Sequence, residues 1–145
     1  SSKTWASKTP DQIVRDITGM VSSVADNTNG LEMVDTLLVP IDQYYILKNT
    51  RMTDGNDKTI MTYLMDNNII GTIEWVVEMK GAGAGSTDKM MAYVRSPQNI
   101  TLEIPQPFEQ FPPQQKGMEF EVVCHQETGG IIIYYPLSVI YGDGI

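Results

Sequence analysis

The chain has 145 residues, 41% of them hydrophobic and 8% aromatic, with 18 acidic against 10 basic side chains and a formal net charge of −8. That length suits one ordinary domain, in which folding removes roughly two-thirds of the unfolded surface from water, and no stretch approaches the roughly 18 to 20 consecutive apolar residues that cross a bilayer. The acidic balance, with no Lys/Arg cluster interleaved with aromatics, argues against nucleic-acid recognition and against anionic membrane as a partner.

Residues 1–8 are polar apart from Trp5 and Ala6 and are expected to form a disordered lead-in. Thr9-Pro10-Asp11-Gln12 then places a capping threonine before a proline at the first helical position, with a glutamine three residues after the cap. Ile13, Ile17, Met20, Val21 and Val24 follow at helical spacing, and Asn27 to Gly30 supplies the stop. Thr36 to Val39 is a short β-branched and apolar run, and Pro40 opens a short helix over Ile41 to Lys48. A polar loop from Asn49 to Asp57 leads to a second short helix carrying Ile60, Met61, Leu64 and Met65, ended by Asn67-Asn68. From Thr72 to Met79 the period becomes two, predicting a strand with Ile73, Trp75, Val77 and Met79 on one face.

Gly81 to Ser86 reads as a flexible loop, Lys89 to Arg95 as a strand broken by Pro97, and Leu102 to Ile104 as a brief extended piece. Four prolines between Pro105 and Pro113 require an extended surface or edge segment. Met118, Phe120, Val122 and Cys124 alternate with Glu119, Glu121, Val123 and His125 as one half-polar strand. Gly129-Gly130 permits a tight turn, and Ile131 to Tyr135 is apolar on both faces, which a strand tolerates only when covered on both sides.

Little of this carries chemistry. The glycines from Gly81 to Gly85 lack the Lys-Ser/Thr and the following helix of a phosphate loop. Cys124 and His125 are the only residues of their kind; as strand neighbours they diverge, which defeats a nucleophile–base pair, and Cys124 is expected to be buried on the apolar face. A lone cysteine forms no internal disulfide, and with no signal peptide at the N-terminus a reducing cytoplasm is the expected site of synthesis. The sequon Asn99-Ile100-Thr101 has no meaning there. Asp54-Gly55-Asn56-Asp57 lacks the distal glutamate of a calcium loop and reads as a turn. Glu119 and Glu121 project from one strand face about 7 Å apart, a separation of interest for a carboxylate-dependent hydrolase, although a solvated face explains them equally well.

Met90-Met91-Ala92-Tyr93 with Arg95-Ser96-Pro97, Ile104-Pro105-Gln106-Pro107, Gly129 to Pro136 and Tyr141-Gly142-Asp143-Gly144-Ile145 together resemble phage and prophage major capsid proteins of the HK-type tailed-phage fold. The helix at Thr9 and the Leu37-Leu38-Val39-Pro40 strand fit the axial domain of such proteins. The resemblance implies an α+β fold, with a mixed sheet flanked by short helices over residues 9–104. It assigns 105–145 to an extended crossing and the C-terminal strands of a peripheral or axial sheet. Such proteins are usually about twice this long and carry a long spine helix, so the chain, which also begins at Ser1 without a methionine, reads as a C-terminal fragment. The implied function is that of a structural subunit of an icosahedral head shell, not an enzyme, with no cofactor and no metal. Its partners would be copies of itself in hexamers and pentamers, together with other phage head proteins, and its place the virion capsid, assembled in the bacterial host. Expected subunit contacts are Asp54 and Gly55, Gly83 and Gly85 in the two polar loops, and Ile131, Ile133 and Tyr135 in the uncovered strand. A phage tail or head-completion protein would share the absence of chemistry.

Overall fold

The computed structural model describes residues 4–53, 55 and 57–145. The chain divides into two compact units, one formed by residues up to Arg95 together with Tyr135–Ile145, the other by Ser96–Tyr134. The boundary expected between 104 and 105 therefore falls between 95 and 96, and the last eleven residues belong to the first unit. Their return depends on pairing between residues far apart in sequence, which local patterning does not encode.

In the first unit α1 (Pro10–Asn27) starts as the sequence predicts: Gln12 Oε1 accepts the Thr9 N–H at 3.1 Å. It ends with Asn29 at φ 52° and Gly30 at φ 75°, the Gly30 N–H reaching back to the Ala25 carbonyl. Strand β1 (Thr36–Val39) is followed by α2 (Ile41–Asn49) and α3 (Ile60–Asp66), which lead to β2 (Thr72–Trp75). This connection is long enough for a parallel pairing, and β1 and β2 are parallel, with Thr36 opposite Thr72 and Val39 opposite Trp75. Strand β3 (Lys89–Tyr93) runs antiparallel on the other side of β1. The sheet is completed by the strand Val139–Asp143, so that β1 and β3 lie inside and β2 and the final strand form the edges.

One core serves this unit. Ile13, Ile17, Met20 and Val24 of α1 join Leu37 and Val39 of β1, Leu47 of α2, Ile60 and Leu64 of α3, and Met90 and Ala92 of β3. Trp5 belongs to it as well. The expected disordered lead-in is replaced over residues 5–7 by a 3₁₀ turn that packs against α2 and leaves Trp5 only 1% exposed, while its indole N–H donates to Asp16 at 3.1 Å. A buried indole needs such a partner.

The strand predicted over residues 72–79 stops at Trp75 and gives way to a 3₁₀ turn at Val77–Met79. Its one neighbour among the described residues, β1, ends at Val39 because α2 begins at Ile41 and takes the next donor out of the ladder, so the Val76 N–H to Val39 carbonyl bond is the last rung. Trp75 and Val77 are consequently half exposed, not buried with Ile73.

The second unit is one long β-hairpin in three successive ladders. Strands β4 (Ile100–Glu103), β5 (Gln106–Gln110) and β6 (Gln114–Lys116) go out, and β7 (Glu119–Glu121), β8 (Cys124–Glu127) and β9 (Gly130–Ile133) come back, after which β10 (Val139–Asp143) closes the first unit's sheet. β4 pairs with β9, β5 with β8 and β6 with β7, all antiparallel. The turn is the two residues Gly117-Met118, with Gly117 at φ 72°, a backbone conformation that suits glycine at the first loop position.

The single strand expected over residues 118–125 is thus two strands. The outgoing strand has Pro112-Pro113 opposite this point, which contribute no N–H groups, so the ladder breaks there and resumes through the Phe111 N–H to Val123 carbonyl bond. Gly129-Gly130 does not reverse the chain either. It joins β8 to β9 along the same returning strand, and the Gly129 N–H bonds the Glu103 carbonyl at 2.8 Å.

Candidate assembly surface

A two-stranded ribbon has no second layer, and within Ser96–Tyr134 Asn99 is the one buried residue among those described. Directly opposed residues of an antiparallel pair share a face. Ile100 lies opposite Ile133, and Leu102 opposite Ile131, so these four side chains form one continuous apolar face. Ile131 is 70% exposed and Leu102 54%. Further along the ribbon Phe108, Phe111 and Phe120 are also exposed, and Met118 at the turn is fully so. Isolated hairpins are marginal in water, and contiguous exposed apolar surface of this kind marks an interaction site.

The same geometry corrects the expectation for Cys124, which is exposed because the ribbon offers nothing to bury it against. Cys124 and His125 are consecutive in β8, opposite Gln110 and Glu109, and their side chains diverge. Glu119 and Glu121 lie at the exposed end of the hairpin, with Glu121 paired to Lys116 at 3.0 Å. Phe120, Lys116 and these two carboxylates line a shallow hollow formed by β6 and β7 alone. A solvated ion pair on a bare hairpin supplies neither the enclosure nor the second wall that a hydrolytic cleft needs. Among the described residues no cluster of three carboxylate, imidazole or thiol groups is placed to hold a metal ion, and no helix is long and apolar enough to cross a membrane.

Of the remaining expected contacts, Gly55, Gly83, Gly85 and Tyr135 belong to the first unit. Asp54 lies outside the described residues. Gly55 is exposed in the loop bounded by the Met52 N–H to Lys58 carbonyl bond. The 81–88 loop, expected to be flexible, is internally bonded: the Gly83 N–H reaches the Thr87 carbonyl at 2.7 Å, and the Thr87 hydroxyl donates to the Ala84 carbonyl. A Cβ on Gly83 would lie 2.7 Å from the Thr87 hydroxyl and 2.8 Å from its carbonyl, so glycine alone fits. Gly85 stands at φ 67°. Ile131 and Ile133 are in the ribbon, whereas Tyr135, 58% exposed, belongs to the first unit.

Sequence reasoning missed a groove of about 540 Å³ at the end of α1, whose apolar lining comes from Leu31, Tyr135, Pro136 and Leu137. Leu31 is 86% exposed. A lone leucine after a helix stop has no periodicity to flag it. The exposure of Trp75 was also hidden, since alternation alone assigned it to the covered face.

The chain thus combines an α+β unit built on a mixed sheet with a two-stranded ribbon unit that carries exposed apolar side chains. The chain matches the family described as "Major capsid protein" over residues 1–145 and belongs to it. Among solved structures it is similar to the capsid of Myoviridae phage XM1, with a TM-score of 0.88 at 17% identity over 100% of this chain and 50% of that one. It is also similar to the virus-like particle from Pyrococcus furiosus, with a TM-score of 0.64 at 14% identity over 91% of this chain and 50% of that one. At these identities the likeness is one of fold, and the chain spans about half the length of both solved chains. No curated protein matches it.

Proposed function

We propose that this chain is the assembling part of a head-shell subunit that has no catalytic role and acts by packing against copies of itself in hexamers and pentamers of an icosahedral virion capsid, built in the cytoplasm of a bacterial host. The observation that carries this reading is the exposed apolar face of Leu102, Ile131 and Ile133 in a unit without a core of its own. On this reading the first unit is the axial domain, presenting the loops with Gly55 and with Gly83 and Gly85 to neighbouring copies, and the ribbon is the peripheral element. Many modest contacts suffice when each subunit touches several neighbours, because linked contacts act at high effective concentration. The net charge of −8 suits a container that holds nucleic acid without sequence recognition, and it offers nothing to anionic lipid. Other head proteins would join as secondary partners at the same exposed surfaces. Sedimentation velocity of the intact gene product tests this: capsomers or larger closed assemblies are expected, and a protein that stays strictly monomeric at high concentration contradicts it.

A further inference from the structure

Asp88 closes the 81–88 loop on itself: its Oδ1 accepts the Gly81 N–H at 2.9 Å, and its backbone carbonyl accepts the Gly144 N–H at 3.0 Å. Its other carboxylate oxygen is held from beneath by α2, where the Gln43 amide donates through Nε2 to Asp88 Oδ2 at 2.7 Å and to the Ile145 carbonyl at 3.3 Å. Gln43 is only 6% exposed. The preceding helix residue, Asp42, pairs with Lys80 at 2.6 Å just before the loop, so two successive residues of α2 grip the loop at both of its ends. The Lys80–Asp42 pair is solvent-exposed and weak on general grounds. The buried amide is the stronger tie.

We propose that Gln43 is a positioning residue for the 81–88 loop, holding it in one preformed shape for contact with other copies of the protein. The loop's role as a contact rests on the head-shell reading above; the hold itself does not. Only half of the Gln43 amide is matched. Gln43 Oε1 is buried and has no donor among the described residues, and an unsatisfied buried carbonyl costs free energy that an apolar side chain of similar length would not. What the glutamine gains is the orientation of Asp88, and through it of Gly81 and the Gly83–Thr87 bond. A preformed loop loses less conformational entropy on association than a mobile one.

Amide hydrogen exchange and assembly yield of the intact gene product separate this role from plain packing. In Gln43→Met the exchange of the Gly81 and Gly83 amides is expected to rise tenfold or more, with α1 and β1 amides and the unfolding midpoint unchanged, and assembly yield falls several-fold. Should that variant fail to fold, Asp88→Ala removes the other end of the Gln43–Asp88 tie, and the expected rise is then read at the Gly83 amide, because Gly81 loses its own acceptor in that variant. Loop exchange that stays at the wild-type rate overturns the proposal, as does exchange that rises throughout the protein, which is the mark of a merely structural residue. A loosened loop with full assembly overturns its use as a contact. If the wild type itself does not assemble, the head-shell reading fails while the exchange data still decide whether Gln43 holds the loop.

Discussion

Trp5→Ala lowers the unfolding free energy of this chain by about 3–5 kcal/mol, the usual cost of emptying a buried aromatic site. Trp5 is 1% exposed, packs in the same core as Ile13, Ile17 and Leu47, and its indole donates to Asp16, which also takes Lys8 at 2.6 Å. Removing the ring creates a cavity and strips Asp16 of one of these two donors. Against a total stability of about 5–15 kcal/mol such a loss is a large fraction. Urea denaturation followed by circular dichroism measures it. A change within about 0.5 kcal/mol, as for an ordinary surface site, would mean that the N-terminal turn does not contribute to the core.

The paired substitution Ile131→Asp and Ile133→Asp is expected to abolish assembly while leaving the first unit's core intact. Neither side chain belongs to that core, and both stand on the exposed ribbon face. Burying two uncompensated carboxylates in a contact between copies costs roughly 2 kcal/mol or more each, and ~4 kcal/mol weakens a contact about a thousandfold. The readout is the particle fraction in a sucrose gradient, beside the urea midpoint of the same variant. Normal particle yield would show that this face is not used between copies.

Much of the first unit could be read from the sequence because its signals are local. The capping residues and five apolar positions at helical spacing delimit α1, and Pro40 separates β1 from α2. What escaped depends on partners far away in the chain. The end of β2 is decided by where β1 stops; the resemblance left a return of the C-terminus to the axial sheet open, but the pairing of Val139–Asp143 with β3 lies in no window of sequence. Trp5 has no periodicity to reveal its burial, being one aromatic in a polar stretch.

The ribbon was half legible. The doubly apolar run Ile131 to Tyr135 announced a strand lacking cover, and these residues are exposed. The alternation from Met118 to Cys124 was misread as one strand because it spans the Gly117-Met118 turn and the break opposite Pro112-Pro113. Whether a side chain such as Cys124 is buried depends on a second layer, and sequence does not say whether one exists.

Electron microscopy of negatively stained intact gene product tests the central claim most directly. Closed icosahedral shells of uniform size, lost in the Ile131→Asp, Ile133→Asp variant, are the expected result. Rings or tubes, which fit a tail or head-completion protein, or isolated particles of single-subunit size would contradict it.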